Sequence, residues 1–400
     1  MNSTRRMLLS SIPFGIAMIR DVWSQSPPAR EYFVYFGTYT GYKSMRLGEP
    51  GGKSDSKGIY VSRFRVETGD VSEPELAAET PNPSFLVIHP NRRFLYCVNE
   101  DPKSVGSFRD KASTVSAFAI DPVTGKLRFV NAVPSGGTSC YASLDESGKF
   151  LFVANYGTGN LYVLPIKADG SVGTSVDVAQ HSGKSVDPVY QTGPHAHSAD
   201  IAAGNRFLVS SELGADTLMV YRFDATTGKL TLNPAATVNA KPKTGPRHFA
   251  FSANGKFGYS LGEMSGTITA FAWEGSKGTL KEIQVIETKP KNLPSAGSAE
   301  LTIHPNGRFI YASNRGPDTI VVLAIHPTNG TLTPVDEVAS RGMAPRSFGI
   351  DPTGSYLLAA NQATDDVVIF RVDGETGRIL PTRNIVKVST PVCVKFLALS

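Results

Sequence analysis

The sequence predicts an all-β chain: a seven-bladed β-propeller with four antiparallel strands per blade, its ring closed by pairing N- and C-terminal strands. Three observations predict it. A phrase made of an apolar run, a turn of the type HPNGRF and a second apolar run ending in a polar residue occurs six times. A glycine-centred hairpin follows each copy and also precedes the first, which makes seven. The two chain ends then supply the strands missing from the count.

The six copies start at Pro83, Ser139, His197, Pro246, Ser298 and Pro345. Anchored on the aromatic after the turn (Phe94, Phe150, Phe207, Phe257, Phe309, Tyr356), they recur every ~52 residues, a period that suits a four-stranded blade. The second hairpins start near Lys57, Thr114, Asn160, Thr217, Gly266, Thr319 and Asp366 and alternate apolar and polar residues about a glycine turn. At the ends, PVCVKFLA from Pro391 reads as the first strand of a blade and YFVYFGTYT from Tyr32 as the second. Pairing them leaves no bare strand edge. Residues 32–400 are therefore expected to form one domain, although a prior of ~150 residues per domain would divide the chain in two or three.

Residues 1–26 are set apart as an expected signal peptide. Arg5 and Arg6 precede a short apolar stretch from Met7 to Ile19, and Ser24-Gln25-Ser26-Pro27-Pro28 follows. The stretch is shorter than the ~20 residues of a bilayer span, and the paired arginines resemble a twin-arginine export signal. The expected location is outside the cytoplasm, periplasmic or extracellular, with no integral membrane span.

Composition narrows the function further. With 40% hydrophobic and 19% charged residues the chain is ordinary globular protein, which excludes disorder, collagen-like fibres and a multi-span membrane protein. The formal charge of +5 has no basic run behind it, so nucleic acid is not an expected partner; a monomer is expected. Cys97, Cys140 and Cys393 are odd in number and lie in apolar, β-prone surroundings, which reads as buried thiols rather than a disulfide framework.

The chain resembles the seven-bladed-propeller lactonases, the family that includes 6-phosphogluconolactonase and 3-carboxy-cis,cis-muconate cyclase relatives. VYFGTYT, GIYVSRF, HAHS at His195, PRHFAFS, GYSLGE and IYASNRG occur in the family's order from about Tyr32 to the C-terminus. WD-repeat propellers do not fit, since Trp23 and Trp273 are the only tryptophans.

Repetition lets the copies be compared with one another. Ten residues before the anchor aromatic stand Ser84, Cys140, His197, Arg247, Ala299 and Arg346. Five and six residues after it stand Asn99-Glu100, Asn155-Tyr156, Glu212-Leu213, Gly262-Glu263, Asn314-Arg315 and Asn361-Gln362. Antiparallel pairing brings the start of a first strand beside the end of a second, so both columns gather at one mouth of the ring. The expected catalytic set is His197, Arg247, Glu263 and Arg315, with Arg346, His195, Glu100 and Asn155 as substrate-binding residues. Glu263 or His197 would take a proton from water, while Arg247 or Arg315 would hold an oxyanion or a substrate carboxylate. The resemblance implies the same four positions, the 16-residue step from Arg247 to Glu263 being its most specific part.

The plainer reading of these charges is a set of solvated structural ion pairs. His195 and His197 on one strand face permit chelation, but a third ligand is lacking, so neither a metal nor another cofactor is expected. His89, His304 and His326 precede prolines in turns and are expected at the surface; Asn99, Asn155, Asn314 and Asn361 recur as blade-end hydrogen-bonding groups. GEPGGKS at Gly48 falls one position short of a phosphate loop and reads as a flexible loop near the mouth, and no GxSxG elbow occurs. The expected function is an exported lactonase-type hydrolase acting on a small sugar lactone or related carboxylate-bearing lactone. A non-catalytic propeller that binds a ligand or protein at the same mouth, or a muconate-type cycloisomerase, is the alternative.

Overall fold

The computed structural model describes residues 30–41, 52–100, 113–289, 293, 295 and 297–399. The expected leader and most of the GEPGGKS segment lie outside them. Seven antiparallel sheets are present. In the blade that starts with Pro83–Ile88, the order outward from the ring axis is Pro83–Ile88, Phe94–Asn99, Thr114–Ile120 and Leu127–Pro134. The innermost strands of successive blades pack on one another in a closed circuit, from Pro83–Ile88 through Ser139–Leu144, Ala196–Ile201, Pro246–Phe251, Ser298–Ile303 and Pro345–Ile350 to Pro391–Ala398.

The seventh sheet joins the ends. Pro391–Ala398 pairs antiparallel with Glu31–Thr38, which pairs with Gly58–Arg65, as the end sequences require. Its outermost strand is split into Asp70–Val71 and Glu75–Glu79.

Burial follows from position in the blade. Every second strand of the six sequential blades, such as Phe207–Glu212, is buried at all six positions because it has sheet neighbours on both edges and another blade on each face. Outermost strands such as Leu127–Pro134 face water and alternate exposed with part-buried residues. The three cysteines are free and buried, and burial pushes the Cys97 thiol up to about 12 and that of Cys393 to about 11.

One contact recurs at all seven blade interfaces. The glycine in the second hairpin of each blade (Gly69, Gly125, Gly170, Gly228, Gly278, Gly330, Gly377) has φ between +68° and +83°. Against it packs the anchor aromatic of the neighbouring blade: Tyr356, Phe33, Phe94, Phe150, Phe207, Phe257 and Phe309 respectively. A Cβ on any of these glycines would collide with the ring. At four interfaces a buried tyrosine, two residues after the anchor, donates its hydroxyl to the same glycine's carbonyl: Tyr35 to Gly125 at 2.9 Å, Tyr96 to Gly170 at 3.1 Å, Tyr259 to Gly330 at 3.1 Å and Tyr311 to Gly377 at 2.7 Å.

The turn histidines divide. His326 is exposed, whereas His304, expected at the surface, is buried with Nε2 donating to Gly354 O at 2.8 Å in the next blade. His89 is half-buried and reaches Gly148 O in the same way at 2.9 Å. Proline directs the turn after each histidine, but for His89 and His304 the blade beyond offers a carbonyl within reach of the ring N–H. Among the described residues no helix is long and apolar enough to cross a membrane.

Gly278→Ala is expected to destabilise the protein by about 2–4 kcal/mol, from overpacking against Phe207 together with a left-handed backbone. Gly374→Ala, where a Cβ meets open space, should be close to neutral. Thermal or urea melts of the two variants check this.

Candidate active site

The mouth is built by a β-bulge. Near the start of each inner strand the pairing register skips a residue, and the skipped residues are Ser84, Cys140, His197, Arg247, Arg346 and Val392. In the remaining blade the irregularity spans Ala299 and Glu300. This is the column ten residues before the anchor. A bulge leaves its extra residue outside the ladder and re-aims the side chain, so seven bulges arranged in a ring turn this column toward a common centre.

Three successive blades supply the charged cluster there. Glu263 Oε1 accepts from Arg315 Nη2 at 2.7 Å, and Glu263 Oε2 lies 2.8 Å from Arg247 Nε and 3.8 Å from His197 Nε2. Burial would raise the Glu263 carboxyl, but the Arg315 and Arg247 charges outweigh it and hold the group ionised below its ordinary value. Burial, assisted by the Arg247 charge, pushes His197 well below the usual histidine value, so it is neutral at pH 7. Burial also draws Arg247 down to about 10, which still leaves it charged. Cys140 Sγ lies 3.7 Å from His197 Nδ1; its thiol is pushed up by burial and is no activated nucleophile.

A second group adjoins the first. Tyr39 donates to Glu100 Oε2 at 2.8 Å, Arg346 Nη2 stands 4.0 Å from the same oxygen, and the Arg346 guanidinium covers the Tyr39 ring at 5.3 Å. His195 stacks on Tyr156 at 4.3 Å and pairs through Nδ1 with the Tyr156 carbonyl at 2.7 Å, while His197 meets the same ring edge-on. His195 precedes the strand and His197 occupies its bulge, so the two rings flank Tyr156. No metal-binding group of three ligands occurs among the described residues. A cavity of about 400 Å³ opens beside the cluster, lined by Glu263, Tyr156, Tyr190, Leu213, Met264 and Lys243 among others.

The structure thus brings together His197, Arg247, Glu263 and Arg315, with Arg346, Glu100 and His195 beside them. Asn155 does not join them. It is fully buried, donates to Ser135 O and Asn160 Oδ1 at 2.7 and 2.8 Å and accepts from Ser139 Oγ at 2.6 Å, so its amide is consumed in closing its own blade. Asn314 likewise accepts from Ser298 and donates to Thr288 O, and Asn361 donates to Ser340 O and Asp366 within its own blade.

Sequence comparison missed two sets of residues. Tyr39 stands six residues after Phe33, the closing blade's anchor, in the same column as Glu100, Glu263 and Arg315; aligning the terminal strand with the other copies finds it. The column nine before the anchor holds Phe85, Tyr141, Ser198, His248, Glu300 and Ser347, and it forms a second polar layer in the channel. There His248 Nδ1 meets Glu300 Oε1 at 2.8 Å, Ser347 donates to Glu300 Oε2 at 3.0 Å, and Tyr141 and Ser198 donate to Asp200 at 2.6 and 2.8 Å.

A family model described as lactonase, 7-bladed β-propeller, matches residues 33–396. The chain belongs to the seven-bladed β-propeller lactonase family. A family member from Bacillus subtilis named 6-phosphogluconolactonase is 35% identical over 370 residues, 92% of this chain and 99% of that protein. Another of that name from Formosa agariphila is 34% identical over 77% of this chain and 86% of its own length. Among solved structures, the periplasmic gluconolactonase of Pseudomonas aeruginosa superposes with a TM-score of 0.84 at 34% identity, covering 92% of this chain and all of that one.

The channel layer of this lactonase-family chain gives a pH prediction. Burial raises Asp200 from 3.8 to about 7. Between those values the folded state holds a proton that the unfolded state has released, so Asp200 lowers stability as pH rises from about 4 to 7. Asp200→Asn keeps one acceptor and, like the protonated acid, presents a donor in place of the other, without the charge. It should match the wild type in thermal melts at pH 4 and exceed it in Tm at pH 8.

Proposed function

We propose that this chain is an exported hydrolase that opens an unphosphorylated sugar lactone, or a related carboxylate-bearing lactone, by general-base attack of water. The observation that carries the reading is Glu263: an ionised carboxylate on the wall of the mouth cavity, held between Arg247 and Arg315. Glu263 takes a proton as water adds to the lactone carbonyl. The Arg247 and Arg315 guanidiniums stabilise the oxyanion, whose charge exists only after attack. As the intermediate collapses, the bond from the former carbonyl carbon to the ring oxygen breaks. The departing ring oxygen recovers the proton from Glu263, leaving an open-chain hydroxy acid. Neutral His197, 3.8 Å from Glu263, sets no further positive charge against the proton that the carboxylate takes up.

Two observations support an exported, unphosphorylated substrate. Residues 1–26 have the layout of an export leader, and phosphorylated sugars are intracellular metabolites. The similar Pseudomonas aeruginosa protein is named a periplasmic gluconolactonase, while the Bacillus subtilis relative is named for the phosphorylated lactone. Both substrates therefore belong in the test.

Purified chain lacking the leader should accelerate hydrolysis of glucono-δ-lactone, followed by base uptake at constant pH, with a higher kcat/KM than for its 6-phosphate. Glu263→Gln is expected to lower kcat by about 10²–10⁴. Arg247→Ala should lower it by about 10²–10³. Variants that match the wild type, or a wild type at the background rate on every lactone, would exclude the mechanism. Replacing Arg5 and Arg6 with lysine should retain the full-length protein in the cytoplasm if the twin-arginine route is used.

A further inference from the structure

We infer that His248 and Glu300 are positioning residues for Arg247, forming a Glu300–His248–Arg247 relay that fixes which face of the guanidinium is left for substrate; this rests on the lactone-hydrolase reading of the mouth. Arg247 Nη1 lies 2.9 Å from His248 Nε2 and 3.0 Å from Ala299 O. A guanidinium only donates, so His248 Nε2 must be the bare, accepting nitrogen. The imidazole proton then sits on Nδ1, where it is donated to Glu300 Oε1 at 2.8 Å. Glu300 is fixed in turn by the Ser347 hydroxyl at 3.0 Å and the Leu301 amide at 3.1 Å. Each hydrogen-bonding atom along the line from Glu300 through His248 to Arg247 Nη1 thus has a defined role, and the tautomer follows from geometry alone.

The relay settles the guanidinium in one orientation. Nη1 is committed to His248 and Ala299, and Nε faces Glu263. Among the described residues Nη2 has no protein acceptor, which leaves its two N–H groups for the developing oxyanion. The His248 ring is held by Tyr141 at 5.2 Å, His197 at 5.6 Å and Phe85 at 6.0 Å, so it cannot swing away without disturbing the channel wall.

The relay is also sensitive to protonation. The charged or titratable groups facing His248 are Glu300, Arg247, Lys395, His197 and Tyr141. Burial, with help from Arg247 and Lys395 and against Glu300, holds His248 below the usual histidine value, so the neutral ring persists to mildly acid pH. Protonation at Nε2 would set donor against donor and expel Nη1.

Two experiments test the relay. In the first, the ring ¹⁵N signals of the seven histidines are recorded at pH 7, with His248→Gln to assign one of them. Nδ1–H with bare Nε2 is expected at His248, and Nε2–H or imidazolium would overturn the relay whatever the substrate. In the second, kcat and KM on glucono-δ-lactone are measured across pH. His248→Ala should lose about 100-fold in kcat with little change in KM, the scale of a misplaced catalytic group. His248→Gln, whose amide oxygen accepts without titrating, should recover at least tenfold of that and move the acid limb of kcat to lower pH. Wild-type kinetics in His248→Ala, or a folded His248→Gln that rescues nothing, would overturn the relay. A wild type inert on lactones while the predicted tautomer is present would instead sink the lactone-hydrolase reading and leave the relay standing.

Discussion

The ring rests on an aromatic side chain packed against a backbone that has no Cβ. At each of seven interfaces the anchor aromatic of one blade fills the space over the hairpin glycine of the next. The glycine is needed twice over, for its left-handed φ and for the room that it leaves. A blade alone would expose this aromatic and its whole second strand to water, so the blades become stable together. The catalytic candidates inherit that dependence. His197, Arg247, Glu263 and Arg315 come from three successive blades, and Glu100, Tyr39 and Arg346 from others. No local segment contains the site; it exists because the circuit closes at Glu31–Thr38 and Pro391–Ala398.

Bringing these charges together costs desolvation, and the structure offsets the cost in a specific way. Glu263 and Arg247 are both withdrawn from water, where an unpaired charge would be expensive. Glu263 compensates with a cation on each carboxylate oxygen, and Arg247 by its ion pair with Glu263 and by donating Nη1 to His248 and Ala299. His197 meets the same constraint by giving up its charge. Asp200, one layer deeper and without a cation in contact, does likewise and holds its proton to about pH 7. Identical blades therefore supply quite different titration behaviour, set by what each bulged or channel-facing residue finds across the axis.

Much of this was legible in the sequence, because repetition makes one chain its own comparison set. The six phrases, the seven hairpins and the pairing of the ends gave the architecture, and departures toward charge in two columns gave most of the mouth. The errors share a cause. Column position alone groups Asn155 with substrate-binding residues, yet its neighbours Ser139 and Asn160 consume the amide within the blade. A turn position implies a surface location for His304, yet the adjoining blade covers it. His248 and Glu300 escape for the converse reason, since their partners lie one blade away and no spacing along the chain announces them, whereas Tyr39 escapes because its blade is divided between the two chain ends. Contacts within a blade are written in the sequence; contacts between blades follow from the angle at which neighbours meet.

The charge inventory of the mouth bears on why such a site would favour reaction over binding. Arg247, Arg315 and Arg346 face Glu100 and Glu263, three positive charges against two negative with His197 neutral, and Lys243 and Asp187 on the cavity wall add one charge of each sign. A neutral lactone leaves that surplus of one positive charge unanswered. Addition of water creates one oxyanion, and if Glu263 accepts the proton its own negative charge is lost as the new one appears. The negative charge then passes from the carboxylate to the oxyanion while the same guanidiniums remain in place. A cluster arranged this way has little reorganisation to perform during the step, which is the property electrostatic preorganisation requires. The demand falls on orientation rather than on the number of charges: the arginines must already face the point at which the oxyanion forms, and a buried chain of hydrogen bonds behind Arg247 is the means this fold provides.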